Sequence, residues 1–334
     1  MQKYGCTDKI CAWADNNKLK FDQTYMESRL KIIEPEKLPA RMGLDCDVIV
    51  ASSAYDKIRE QLMILGYQQD RIHLYNFAFM DIEYTDKEFI VDHLEDFTRS
   101  FDRLADDKSK RIYVNILNYR ITKDEQYLQD MQPDVDDECN QYFPDSIFEY
   151  KNDECFLDIG AYTGDTFQTF DKIYNGKYNQ YYGFEADPYV FQKLEELIGS
   201  LNSNKLSIYN IAAWSSKTQL FFDEVAGSSQ MSEKIKKNKI WADCIDHVLH
   251  EKKVSFVKMD IEGAEYNALL GMEKIIKRDR PILAICVYHL RDDFYKLPDY
   301  IDRLVPGEYV FYMRQYRYTP TETVCYMVPQ YRIV

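Results

Sequence analysis

From about residue 140 onward, short apolar runs alternate with segments whose apolar positions recur every three or four residues, the spacing of buried strands linked by amphipathic helices. Phe156 to Ile159, Tyr181 to Phe184, Leu206 to Ile211, Val254 to Met259 and Ile282 to Tyr288 predict five strands. Apolar residues at 190, 191, 194, 197, 198 and 201 predict a helix after the second, and Ala264 to Ile276 another after the fourth. Tyr309 to Met313 and Thr323 to Val328 predict a closing hairpin. The expected fold is α/β, a doubly wound, mostly parallel seven-stranded sheet with an antiparallel edge.

The earlier part of the chain follows other periods. Residues 1–78 read as a small α/β piece with strands at Ile10 to Ala14, Val48 to Ala51 and Arg71 to Tyr75 and a helix at Lys57 to Leu65. Its first strand ends in Asp15, as a ribose-holding strand of a dinucleotide-binding unit does, but no glycine-rich strand precedes it. The piece is expected to be a partial Rossmann-like accessory domain, degenerate or with its start outside this sequence. Residues 79–139 read as a helical linker region. Ile90, Leu94, Phe97, Phe101 and Leu104 form one apolar stripe, and Ile112, Ile116 and Tyr119 suggest a second helix. Such a stripe packs on its own protein or forms a homodimer seam. The acidic run Pro133 to Glu138 closes the linker, and residues 140–334 form the main domain.

Composition narrows the function classes. The 334 residues carry 42 Lys and Arg against 56 Asp and Glu, a net charge of −14, which argues against nucleic acid as the main partner. The basic run Lys234 to Lys239 reads as a solvated face. The 8 cysteines contain no Cys-x-x-Cys pair, so reduced thiols in a cytoplasmic protein are expected, not a disulfide frame or zinc site. No signal core and no run of about 18 apolar residues is present, so neither export nor membrane insertion is expected. The 28 tyrosines suit a surface that grips polar ligands such as sugars, or half-buried packing.

Candidate chemistry collects at the strand ends, which converge in a doubly wound sheet. The first strand passes through Asp158, Gly160, Ala161, Tyr162, Gly164 and Asp165 into a helix. This is a turn that brings backbone N–H groups up to a ligand. Its Asp-x-Gly-x-x-x-Gly spacing resembles the first motif of S-adenosylmethionine-dependent methyltransferases. Glu185, ending the second strand, suits the two hydroxyls of a ribose. Asp260 and Glu262 end the fourth strand and His289 the fifth. The acids Glu262 and Glu265 read equally as helix-entry residues that favour the dipole.

Val257-Lys-Met-Asp-Ile-Glu-Gly-Ala-Glu265, Ala268-Leu-Leu-Gly271 and Val287-Tyr-His-Leu-Arg-Asp-Asp-Phe294 together resemble the signature of the FkbM methyltransferases, over about residues 155 to 328. Leu104 to Ser109 and Asn118 to Arg120 are similar to the region preceding the catalytic domain in members with an extra N-terminal domain. The sequence departs from many members at Tyr162, where they have Asn. The resemblance implies a class I methyltransferase sheet, S-adenosyl-L-methionine as cofactor, and methyl transfer to a hydroxyl of a sugar, surface-glycan or natural-product precursor. Cofactor contacts are then expected from Asp158, Gly160, Ala161, Tyr162, Gly164, Asp165, Glu185, Ala186, Ala212, Ala213 and Asp260. His289 or Asp260 is the expected base, with Glu262 orienting.

Tyr288 and Arg314 are expected to bind the acceptor, a small molecule or glycan, Arg314 as part of the tip Arg314-Gln-Tyr-Arg-Tyr318, whose guanidinium and aromatic groups suit a phosphate or sugar or else make a solvated hairpin tip; Gly227-Ser228-Ser229 is expected to be a mobile loop over the site or a surface turn. No metal is assigned, although two carboxylates and a histidine could hold a divalent cation. An NAD-dependent oxidoreductase and a non-catalytic cofactor-binding scaffold are the alternatives.

Overall fold

In the computed structural model, which describes residues 10–24, 30–52, 55–74, 87–134, 140–225, 228–232 and 238–334, the chain divides into units of residues 1–83 and 84–334. In the first, β1 (Trp13–Ala14) pairs in parallel with β2 (Ile32–Ile33), and β3 (Val48–Val50) with β4 (Ile72–Leu74). The helix Tyr55–Ile64 joins β3 to β4, and Val50, Leu62, Tyr67 and Ile72 form part of a small core. Asp15 is engaged locally: it accepts the Asn17 N–H at 2.8 Å and pairs with Lys20 at 2.6 Å. Tyr75, the expected end of the third strand, lies outside the described residues.

The second unit is built on a sheet of β5 (Cys155–Ile159), β6 (Gln180–Phe184) and β7 (Leu206–Tyr209), then β12 (Phe256–Met259), β13 (Ile282–Cys286), β14 (Tyr309–Gln315) and β15 (Thr323–Pro329). The spatial order is β14-β15-β13-β12-β5-β6-β7. All neighbours are parallel except β15, which is antiparallel to both β13 and β14. Because the chain winds outward from β5 and then crosses back to β12, the order reverses between these strands and opens a crevice at their carboxyl ends.

Burial on both faces explains why β5 is apolar but for Asp158. Leu157 and Ile159 face one layer of the core, while Phe156 faces an aromatic cluster with Phe143, Phe170 and Phe256. The Phe156 and Phe170 ring centroids are 4.6 Å apart.

Two expectations are corrected between β7 and β12. The third strand ends at Tyr209, and Ala212–Ala213 is a separate strand, β8, in a second sheet. That sheet adds β9 (Thr218–Val225), β10 (Ser228–Ser232) and β11 (Asn238–Asp243) in the order β10-β9-β11-β8. Ser228 and Ser229 therefore open a strand paired with β9 instead of a mobile loop. Ladder hydrogen bonding, invisible to a composition-based reading of Gly-Ser-Ser, makes the difference. Gly227 and Lys234 to Lys237 lie outside the described residues.

The helices Lys87–Asp92, Leu94–Asp102 and Asp107–Thr122 belong to the second unit. Their apolar stripe is used internally. Phe97 meets Tyr295 edge-on at 4.9 Å, and Ser100 Oγ donates to the Phe294 carbonyl at 2.9 Å, both on the helix Asp293–Leu304. Leu94 alone of the stripe is exposed. Asp134, in the expected acidic linker, pairs with Lys108; residues 135–139 lie outside the described residues. Among the described residues the cysteines are free thiols, and no helix is long and apolar enough to cross a membrane.

Candidate active site

A cleft of about 380 Å³ opens at the carboxyl ends of β5, β6 and β12. The first loop supplies Gly160, Tyr162, Asp165 and Thr166, and the end of β6 supplies Glu185, Ala186 and Asp187. Ala212 and Ala213 come from the second sheet, and Lys258, Asp260, Ile261 and Glu262 from β12 and its following loop. Gln141, Tyr142, Arg317 and Glu322 also line it.

The first loop is held by contacts that its sequence dictates. Gly160 has φ +81°, and a Cβ there would stand 2.0 Å from the Asp260 carbonyl oxygen, so only glycine lets the loop press against the end of β12. Gly164, at φ +89°, starts the helix Asp165–Tyr174; a Cβ there would meet Leu197 Cδ2 at 2.5 Å. Tyr162 also has positive φ, and its N–H donates to Glu185 Oε2 at 2.9 Å while its ring is exposed. Glu185 Oε1 accepts the Asp187 N–H at 2.8 Å. Burial raises the Glu185 pKa, opposed by these two N–H groups.

Asp158 lies under this loop and does not line the cleft. It is fully buried, accepts the Tyr181 hydroxyl at 3.1 Å and pairs with Lys258 Nζ at 3.2 Å. Lys258 donates in turn to the Gly160 carbonyl at 2.5 Å. Burial pushes the Asp158 carboxyl up to about 6 despite the lysine. Lys258 itself is held charged, because the carboxylates of Asp158, Asp260 and Asp165 together outweigh its burial. The asymmetry follows from numbers: the lysine faces several acids, whereas Asp158 faces one lysine. Ala161 is buried as well, with its N–H donating to the Phe184 carbonyl at 3.0 Å. Of the residues expected to contact a cofactor, Asp158, Ala161 and Gly164 thus lie beneath the loop and do not line the cleft.

The β12 loop gathers the proposed chemistry. Asp260 Oδ2 accepts the Tyr142 hydroxyl at 3.1 Å, and Oδ1 accepts that of Tyr288 at 3.4 Å. His289 Nε2 stands 3.4 Å from Asp260 Oδ1 and 3.7 Å from Glu262 Oε2, while its Nδ1 lies 2.8 Å from Glu265 Oε1. Burial alone would lower the His289 pKa; Glu265, Asp260 and Glu262 around it raise it to about 10. Burial would likewise raise Asp260, but the charges of His289 and Lys258 and the Tyr142 hydroxyl hold it below the usual carboxylate range. Burial raises Glu262, which has φ +58°. Glu265 is not an exposed helix-entry acid: it opens the helix Glu265–Leu270 with its side chain turned inward and fully buried.

Arg314 is a correction. Its side chain is buried on the outer strand β14, pairs with Asp106 at 2.7 Å and donates to Ser109 Oγ at 2.9 Å, so it anchors the helix Asp107–Thr122 and not an acceptor. Of the tip Arg314 to Tyr318, it is Arg317, past the end of β14, that lines the cleft. Tyr288 lies behind Asp260 and reaches the site through its hydroxyl. Gln141, Tyr142, Lys258 and Glu322 escaped sequence reasoning. Lys258 alone carried a readable signal, a cation inside an apolar strand.

Residues 158–318 match the family model described as the methyltransferase FkbM domain. This segment carries the methyltransferase FkbM domain. The FkbM methyltransferase from Methylobacillus flagellatus KT is similar over 95% of this chain and 82% of that one, with 21% identity and a TM-score of 0.71, a likeness of fold. Fibrillarin from Aeropyrum pernix, crystallised with natively bound S-adenosyl-L-methionine, is similar over 57% of this chain and 73% of its own, at 13% identity and a TM-score of 0.37. An rRNA methylase from Streptococcus thermophilus is similar over 63% and 98%, at 13% identity and a TM-score of 0.36. Both are too distant to bear on the acceptor. No curated protein matches. The chain is thus a methyltransferase, not the NAD-dependent oxidoreductase that its strand pattern also allowed.

Proposed function

We propose that the enzyme transfers a methyl group from S-adenosylmethionine to a hydroxyl oxygen of a sugar or glycan precursor. The observation that carries this reading is the position of Asp260, a carboxylate fixed by two tyrosine hydroxyls at the wall of a polar cleft, beside the glycine loop. The cleft fits the methyl donor: Glu185 has lone pairs to spare for ribose hydroxyls, and Ala212 and Ala213 leave space for an adenine ring. When bound, S-adenosylmethionine supplies a methyl group already activated by its sulfonium.

The chain's own residues then align the acceptor and remove its proton. Asp260 accepts that proton, which becomes acidic as the new C–O bond forms, so a carboxylate suffices as base. His289 stands behind Asp260 and outside the cleft lining, where its charge offsets Asp260 and Glu262. Glu262, Gln141, Tyr142 and Arg317 supply the polar contacts that a polyhydroxylated acceptor needs. The test is binding and turnover together. The purified chain binds S-adenosylhomocysteine by calorimetry, and Asp260→Asn keeps that binding while losing about a hundredfold or more of methyl transfer from labelled donor to hydroxylated glycans. A chain that binds no S-adenosylhomocysteine sinks the proposal.

A further inference from the structure

Behind Asp260 lies a group of buried polar atoms outside the cleft lining. The His289 side chain is 7% exposed, and neither ring nitrogen has a hydrogen-bond partner among the described residues. Nδ1 faces Glu265 Oε1 at 2.8 Å, an oxygen that already accepts the Ile261 N–H at 3.0 Å. The other oxygen of Glu265 is buried and likewise unpartnered. A buried polar atom left without a partner keeps the full penalty of having lost its water. Atoms of this kind gathered at one place call for an occupant.

We propose that Asp260, Glu265 and His289 form a binding site for a divalent first-row transition cation. One ligand atom from each of the three lies within 4.8 Å of the others. Metal–ligand bonds of about 2.0–2.2 Å set neighbouring ligand atoms roughly 3–3.5 Å apart, so a small inward closure completes the shell. Asp260 Oδ1 and His289 Nε2 already stand at 3.4 Å. An imidazole with two carboxylates suits Mn²⁺, Fe²⁺ or Zn²⁺ better than Mg²⁺ or Ca²⁺, which favour shells made of oxygen alone. Charge points the same way: Asp260, Glu262 and Glu265 surround a single imidazole, and buried Asp293 lies beside them. Since Asp260 also lines the cleft, the cation sits at the wall of the acceptor site, where it lowers the pKa of a coordinated hydroxyl.

The full chain is stripped with EDTA, dialysed against Mn²⁺ or Zn²⁺, desalted and assayed for bound metal without cofactor or acceptor. The expected result is retention of about one equivalent of one of these ions, reduced about tenfold or more by His289→Gln and by Glu265→Gln. S-adenosylhomocysteine binding and cooperative unfolding report whether each variant is folded; if neither is, the wild-type retention alone decides. Failure of the wild type to retain either ion, or full retention in folded His289→Gln, overturns the site. The measurement does not depend on methyl transfer, so its failure leaves that proposal standing.

Discussion

The Tyr142 hydroxyl donates to Asp260 Oδ2 at 3.1 Å, and this bond joins the segment before the sheet to the end of β12 across 118 positions of sequence. Tyr142 also places its ring 5.3 Å from Lys258 Nζ. Tyr142→Phe is expected to lower stability by about 1–3 kcal/mol while leaving S-adenosylhomocysteine affinity within a fewfold of wild type. A double-mutant cycle with Asp260→Asn, read by denaturant unfolding, should return a coupling energy of about 1 kcal/mol or more. Strict additivity would show that the contact contributes nothing.

Glu185 ties the first loop through the N–H groups of Tyr162 and Asp187. Glu185→Ala should therefore weaken S-adenosylhomocysteine binding about tenfold or more in calorimetry and also speed hydrogen exchange at the Tyr162 amide. Unchanged exchange at that amide would mean that the loop is held by other contacts.

The two loop glycines differ in what surrounds them. Gly160→Ala drives a methyl into a backbone carbonyl at 2.0 Å, whereas Gly164→Ala meets the tip of the Leu197 side chain at 2.5 Å. Backbone cannot yield as a leucine can. Gly160→Ala is expected to cost about 4 kcal/mol or more, and Gly164→Ala clearly less. Urea unfolding of both variants gives the order, and a reversal would refute the packing argument.

Asp158 provides a pH test. Its folded pKa of about 6 exceeds the ordinary 3.8, so its contribution favours the folded chain below pH 3.8 and is lost as pH rises through 6. Relative to Asp158→Asn, the wild type should lose stability between about pH 4 and 6.5, by up to roughly 3 kcal/mol. Parallel stability curves for the two proteins would show that Asp158 is not raised.

Arg314 and Arg317 should separate cleanly. Arg314→Met breaks a partly buried ion pair with Asp106 and is expected to cost about 1–3 kcal/mol, with S-adenosylhomocysteine affinity unchanged. Arg317→Ala lines the cleft instead and should raise the acceptor KM with little effect on stability. Loss of acceptor affinity in Arg314→Met, in a folded protein, would restore the role that its sequence position suggests.

The parallel sheet, the positions of the strand ends and the first loop with Glu185 and Asp260 are legible in the amino-acid order, because each depends on local chemistry. Alternating apolar runs make strands, and a glycine in a tight strand-to-helix turn or an acid at a strand end is readable from a few residues. What reaches the cleft depends instead on packing. Tyr142, Arg317 and Glu322 come from segments far apart in sequence and obey no period, and Arg314 differs from Arg317 only in where the strand stops. Packing also turned Glu265 inward to His289 and made Asp158 a support beneath the loop. Burial and proximity set those roles, and both arise from packing between elements that no local pattern encodes.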